Sequence, residues 1–139
     1  MIKRRLSEIH PIFYHTRIWQ KRFFRQIAEQ EAISYLSVIT IGELLQGAHR
    51  AQTPEQETSI SAWIERTERK FAGRILELDA PVMCLWANIT ASAIKRGLTA
   101  PLMDSLLAAT AIQHDLVFVT RNTDDVQALG GRTVNPWKP

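Results

Sequence analysis

The side chains of this sequence best suited to act together in chemistry are carboxylates. Glu43, Asp104 and Asp125 each lie near the predicted end of a strand or in the helix that precedes one. Carboxylate oxygens are the ligands that hard divalent cations such as Mg²⁺ and Mn²⁺ prefer, commonly one or two per ion with water and substrate phosphate. Such an ion makes hydroxide from water and stabilises the charge that develops on a phosphodiester. The polar neighbours of the third acid are Thr120, Asn122 and Asp124.

Several of these acids also have a structural alternative, which the spacing alone leaves open. Thr40-Ile41-Gly42-Glu43 has the form of a capping box, in which the glutamate side chain reaches back to the backbone N–H of Thr40. Asp104 in the first turn of a helix interacts favourably with the helix dipole, and Asp124 fits the N-cap of a short helix. The sequence shows no serine, cysteine or histidine arrangement with catalytic or ligand spacing, and no glycine-rich phosphate loop.

The stretch from residue 99 to residue 126 must position most of these side chains. It predicts a helix over residues 102–112 that is apolar on nearly every side, and a helix of that kind is buried. The strand predicted over residues 116–119 shows no alternation, which is typical of a central parallel strand covered on both faces. The polar segment 120–125 follows at its carboxyl end, where open α/β sheets bind their ligands. We therefore expect Asp104 to converge with Asn122, Asp124 and Asp125.

Helices and strands alternate along the rest of the chain. Residues 1–16 show no clear period, whereas residues 17–30 have apolar side chains at helical spacing. We then predict strands over residues 35–39, 74–78 and 133–135, and helices over 40–50, 54–70, 80–96 and 124–129, with Asp79 as an N-cap and Gly97 as a C-terminal cap. Strands that alternate with helices predict a three-layer α/β fold with a mainly parallel central sheet flanked by helices.

Length and composition describe an ordinary globular chain. With 139 residues, of which 45% are hydrophobic and 22% charged, we expect a single domain. No apolar run approaches the length of a membrane span, and the basic N-terminus lacks the apolar core of a signal peptide, so we expect a cytoplasmic protein. The formal net charge is +3. Against the single early acid Glu8, the first 25 residues contain Lys3, Arg4, Arg5, Arg17, Lys21, Arg22 and Arg25. This asymmetry fits either a nucleic-acid partner or a solvated basic helix face.

Four segments together resemble a known family. They are SYLSVITIGELLQG (34–47), ILELD (75–79), APLMDSLLAATAIQHDLVFVTRNTDDV (100–126) and VNPW (134–137). Over residues 27–137, their order and spacing are similar to the PIN-domain ribonucleases of the VapC/FitB toxin type. The resemblance implies a PIN-like fold and a homodimer, in which acids from several strand ends bind Mg²⁺ or Mn²⁺ and cleave RNA. It also implies a small antitoxin partner that inhibits the toxin.

By position, the resemblance assigns catalytic and metal-binding roles to Glu43, Asp104 and Asp125. Glu43 matches the family's acid after the second strand, Asp104 matches the acid of the long central helix, and Asp125 matches the acid after the TRN turn. Asn122 is the polar member of that turn. The residues expected to support the site are Thr120, Asn122 and Asp124.

The N-terminus departs from the family pattern. The family begins with an apolar strand that ends in an aspartate, usually within LDTN, whereas this chain begins MIKRRLSEIHPIFYH and has no aspartate before Asp79. Residues 6–9 resemble the segment that follows the missing motif, so we expect residues 1–20 to be divergent and the first strand to be lost or replaced. Three hypotheses follow: a ribonuclease toxin of weakened activity, a non-catalytic relative that binds an antitoxin or RNA, and a chain whose true start lies upstream.

Overall fold

Helices flank a parallel sheet in the part of the chain that the computed structural model describes, residues 12–14 and 34–135. The strands are β1 (Ile12–Tyr14), β2 (Ser34–Ser37), β3 (Ile75–Leu76), β4 (Val117–Val119) and β5 (Thr133–Val134). The helices are α1 (Val38–His49), α2 (Pro54–Lys70), α3 (Ala80–Lys95), α4 (Leu102–Gln113) and α5 (Thr123–Ala128). The strand order is β3-β2-β1-β4-β5, and each neighbouring pair is parallel. The predicted α/β fold with a mainly parallel central sheet is confirmed.

Strand β1 lies at the centre of the sheet and corrects the prediction for the N-terminus. It pairs with β2 on one side and with β4 on the other, where Tyr14 is in register with Val119. The expectation of an irregular segment is therefore wrong for residues 12–14, which form the central strand. Three residues are too few to show alternation, and a segment of that length becomes a strand through pairing with its neighbours. The predicted helix over 17–30, residues 6–9 and the early basic residues lie outside the described residues.

Helix α1 begins earlier than the sequence predicts. Ser37 is its N-cap, and the Ser37 Oγ accepts the backbone N–H of Ile39 at 3.0 Å. Thr40 therefore lies inside the helix with no exposed surface, and the predicted capping box from Thr40 to Glu43 is wrong. Ser37 has extended backbone, so it can be both the last residue of β2 and the N-cap of α1. Strand β2 therefore ends where the helix begins. Glu43 is left in the second turn of α1.

Helix α4 crosses the core, as its apolar sequence predicts. Its buried residues pack with Phe118 of β4 and with Val126 of α5, both about 1% exposed. Alanine side chains permit this close packing because they occupy little volume. The α4 residues with no or almost no exposed surface are Leu107, Ala108, Ala109, Thr110 and Ala111.

The ends of helix α3 follow the prediction. Asp79 is the N-cap, and its Oδ1 accepts the backbone N–H of Val82 at 3.0 Å. Gly97 has a φ of 74°, and the N–H of the next residue, Leu98, bonds back to the carbonyl of Ala93 at 2.9 Å. Within residues 12–14 and 34–135, no helix is long and apolar enough to cross a membrane.

Candidate functional site

Asp104 lies in the first turn of α4, where the helix leaves the core. Its neighbour Ser105 is 2% exposed, accepts a hydrogen bond from Trp86 Nε1 at 2.9 Å, and donates to the carbonyl of Leu102 at 2.7 Å. The bond from Trp86 fixes the first turn of α4 against α3, and the bond to Leu102 lies within that turn. The half-buried Asp104 side chain is therefore carried by a turn that is anchored to α3.

Asn122 joins Asp104 to Asp125 just beyond the carboxyl end of β4. Its Nδ2 donates to Asp104 Oδ2 at 2.9 Å and to Asp125 Oδ2 at 2.7 Å. Its backbone N–H donates to Thr120 Oγ1 at 3.0 Å, and Thr120 is only 3% exposed, so the loop is fixed to the end of the strand. One carboxamide thus brings together two carboxylates that repel each other when both are charged. The convergence expected from the sequence is present for these residues.

Asp124 is placed differently from its neighbour. Asn122 takes the N-cap position of α5 without a side-chain cap bond, and Asp124 and Asp125 both lie in the first turn, so the predicted N-cap role of Asp124 is wrong. Successive residues on a helix point about 100° apart, so the two carboxylates face different directions. Asp124 is exposed, and its negative charge interacts favourably with the positive end of the α5 dipole.

Glu43 lines the same groove as Asp104, Thr120 and Asn122. The groove is open and has a volume of about 820 Å³. Glu43 is half buried in its wall. Across the two described stretches of chain, no group of three or more His, Cys, Asp or Glu side chains is arranged to hold one metal ion. Glu43 therefore shares the groove with Asp104 without forming a three-carboxylate cluster with Asp104 and Asp125.

The donor atoms at the end of β4 suit a hard divalent cation. Asp104 and Asp125 direct carboxylate oxygens toward a single nitrogen atom, Asn122 Nδ2. Mg²⁺ usually binds proteins through one or two carboxylates and fills its other positions with water and substrate phosphate, and carboxylates also suit Mn²⁺. The two aspartates therefore fit such an ion, with Glu43 on the groove wall nearby.

The groove also contains residues that the sequence analysis did not single out. Helix α1 contributes Gln46, Gly47 and Arg50, and the loop after β4 contributes Arg121. The α1 residues could have been found from their spacing, because they follow Glu43 by three, four and seven positions and so share its helix face.

Comparison with known proteins identifies the family. The PIN domain family matches residues 14–130. The chain is 36% identical over 104 residues to toxin FitB of Neisseria gonorrhoeae, a match that covers 74% of this chain and 75% of FitB. It is 32% identical over 106 residues to VapC ribonuclease Y4jK of Sinorhizobium fredii, covering 76% of each. The fold matches the crystal structure of FitAcB from N. gonorrhoeae with a TM-score of 0.82 and 30% identity, over 92% of this chain and 99% of that chain.

This parallel α/β chain therefore belongs to the PIN-domain family, and its relatives include toxins of the VapC/FitB type. The resemblance inferred from the four sequence segments is confirmed. Solved structures with the same fold include toxin–antitoxin complexes. VapC nucleases with a PIN domain generally depend on a divalent metal ion. The family match begins at Tyr14, the last residue of β1.

Proposed function

We propose that this chain is a metal-dependent endoribonuclease and the toxin of a type II toxin–antitoxin pair. The observation that carries the proposal is the Asn122 carboxamide, which brings the carboxylates of Asp104 and Asp125 together at the carboxyl end of β4. A pair of acids of this kind suits a divalent cation and a substrate phosphate. The names of two relatives support the proposal, since one is a toxin and the other a ribonuclease.

Each site residue has a defined role in this proposal. Asp104 and Asp125 would hold Mg²⁺ or Mn²⁺, which supplies hydroxide at neutral pH and positive charge beside the scissile phosphate. Asn122 orients both carboxylates, and Thr120 fixes Asn122 by accepting its backbone N–H. Glu43, in the groove wall, accepts a hydrogen bond from the attacking water and takes its proton as general base.

The test is cleavage of RNA by the purified chain with Mn²⁺, alongside an EDTA control and an Asp104→Asn variant. We expect the wild-type chain to cleave and the variant to lose about 100-fold or more, because a neutral amide replaces an anionic ligand. The amide has nearly the size of the carboxylate and its oxygen still accepts a hydrogen bond, so the melting temperature should change little. Metal-dependent cleavage that persists undiminished in Asp104→Asn would contradict the assignment.

Asp124→Asn is the matched control for this test. It makes the same chemical change one residue away from Asp125, at an exposed side chain on another face of α5. Its cleavage rate should equal that of the wild type. An equal loss in both variants would mean that the general negative charge of the region matters, and not the Asp104–Asp125 pair.

We infer that the toxin has an antitoxin partner, and that it acts as a homodimer in the cytoplasm. The inference rests on the relatives of the chain, which include toxin FitB. Light scattering during gel filtration should give the mass of a dimer at tens of micromolar. A monomer mass under those conditions would count against the dimer without affecting the proposed cleavage.

A non-catalytic relative that binds an antitoxin or RNA is the second candidate function. The observation in its favour is that the sequence has no aspartate before Asp79, whereas the first apolar strand of the family pattern ends in one. One carboxylate fewer weakens metal binding. A folded wild-type chain that binds RNA without cleaving it in Mn²⁺ or Mg²⁺ would support this candidate. Cleavage that is lost in both EDTA and Asp104→Asn would exclude it.

A further inference from the structure

Helix α1 extends the groove away from the carboxylates. Gln46, Gly47 and Arg50 line the same groove as Asp104, and they lie on the α1 face that carries Glu43. With a rise of 1.5 Å per residue, Arg50 is about 10 Å from Glu43 along the helix axis. One wall of the groove therefore runs two helical turns from an acid to a cation.

Gly47 has no structural explanation within the described part of the protein. It lies inside α1, where glycine is less favourable than alanine. It is not among the glycines with positive φ, so its backbone does not require glycine. A Cβ built at Gly47 meets no heavy atom of the described residues within 4 Å. As far as the described residues go, the helix surface at Gly47 is bare in the groove wall.

Arg50 places a positive charge at the far end of this wall. It is exposed at the C-cap of α1, where its backbone N–H bonds to the carbonyl of Gln46 at 3.1 Å. Among the described residues, its guanidinium takes part in no hydrogen bond or ion pair. A guanidinium donates paired hydrogen bonds that match the oxygens of a phosphate.

We propose that the α1 wall formed by Gln46, Gly47 and Arg50 binds the RNA strand beside the scissile phosphate. The strand passes over the bare surface at Gly47, and Arg50 binds a neighbouring phosphate. Because Glu43 and Arg50 are about 10 Å apart along α1, the phosphate at the acids and the phosphate at Arg50 are two different phosphates of one RNA strand. Gln46 offers an amide that bonds to phosphate oxygens or to a ribose hydroxyl. The inference rests on the proposed function for the identity of the substrate.

RNA binding is measured separately from cleavage. Fluorescence anisotropy with a short single-stranded RNA, in an Asp104→Asn background without metal, reports affinity alone. Arg50→Ala should weaken binding about tenfold, as expected for the loss of a charged hydrogen bond. It should also reduce the slope of log affinity against log salt by about 0.7, the value for one phosphate contact on a single strand. Arg66→Ala is the matched control, because Arg66 is an exposed arginine on α2 that does not line the groove.

Two glycines of α1 give a sharper comparison. A Cβ at Gly42 or at Gly47 meets no described atom within 4 Å, but only Gly47 lines the groove. Both alanine variants should raise the melting temperature by about 2–4 °C, because alanine favours the helix. Gly47→Ala should nevertheless weaken RNA binding by about threefold or more, whereas Gly42→Ala should leave it unchanged. A variant that is more stable and binds less well cannot owe its defect to misfolding.

The outcomes separate this inference from the proposed activity. Unchanged RNA affinity in both Arg50→Ala and Gly47→Ala overturns the inference, even if the wild-type chain cleaves RNA. Lost antitoxin binding with unchanged RNA affinity overturns it as well, because the wall then serves a protein partner. Weaker RNA binding in both variants of a chain that does not cleave supports the inference and rejects the proposed activity.

Discussion

The two sides of the groove hold their polar groups in different ways. On the α4–β4 side, one amide contacts two carboxylates: Asn122 bonds to Asp104 and to Asp125 over less than 3 Å. On the α1 side, Glu43 and Arg50 are spread along two turns of one helix. The first arrangement fixes a small anionic point, and the second provides an extended wall of mixed charge. A substrate with one reacting phosphate and a longer charged chain matches both sides.

The largest effect that separates the two sides is expected at Asn122. Asn122→Ala removes the donor that both aspartates share, so their mutual repulsion is no longer offset and their orientation is lost. Residues that orient metal ligands typically contribute about 10- to 100-fold to metal affinity or activity. We therefore expect RNA cleavage to fall by about that factor, while RNA affinity measured without metal changes little. A cleavage rate equal to that of the wild type would show that the aspartates keep their positions without the amide.

Asn122→Asp sharpens the same prediction. It keeps the size of the side chain but places a third negative charge beside Asp104 and Asp125. In EDTA the melting temperature should fall below that of the wild type, because like charges repel at this distance. Added Mn²⁺ should raise the melting temperature more in this variant than in Asn122→Ala, since a ligand that binds the folded state stabilises it. The same Mn²⁺-induced increase in both variants would place the ion elsewhere.

A several-fold gain in Mn²⁺-dependent cleavage, rather than a loss, is expected from a substitution directly after β1. The family pattern has an aspartate after its first apolar strand, and here His15 follows Tyr14 in the sequence. We predict that His15→Asp lowers the Mn²⁺ concentration that gives half-maximal cleavage, because it places a carboxylate directly after the central strand β1, and carboxylates are preferred Mn²⁺ ligands. His114→Asp is the control, since His114 caps α4 at the end far from Asp104. If both variants have the same Mn²⁺ dependence as the wild type, the missing aspartate does not limit activity.

The α4–β4 side of the groove could be predicted from the sequence because it comes from one continuous stretch. A helix that is apolar on nearly every side and a strand without alternation both indicate burial, and together they place Asp104 near the segment after the strand. The bonds from Asn122 to both carboxylates could not be predicted. They depend on the conformation of a short loop, which Thr120 fixes from a buried position.

The α1 side could not be predicted to the same extent, for two physical reasons. Strand β1 has three residues, and its conformation comes from pairing with β2 and β4, which lie far away in the sequence. The start of α1 was predicted from a pattern, Thr40 to Glu43, that matches a capping box, but Ser37 caps the helix instead. The spacing of Gln46, Gly47 and Arg50 places them on the helix face of Glu43, but it does not predict that this face shares a groove with Asp104.

The smallest expected effect is a change in stability on the α1 side, where Ser37 caps the helix and Glu43 is a site residue. Ser37→Ala removes the side-chain acceptor for the N–H of Ile39, which should cost about 1 kcal/mol of folding free energy and lower the melting temperature by about 3–5 °C. Cleavage per folded molecule should be unchanged, because Ser37 does not line the groove.

Glu43→Gln should show the reverse, with an unchanged melting temperature and a clear loss of cleavage, because an amide is no base. If Glu43→Gln instead destabilises the protein as much as Ser37→Ala and leaves cleavage intact, then Glu43 has only a structural role in α1, and the chemistry of the groove lies on the α4–β4 side alone.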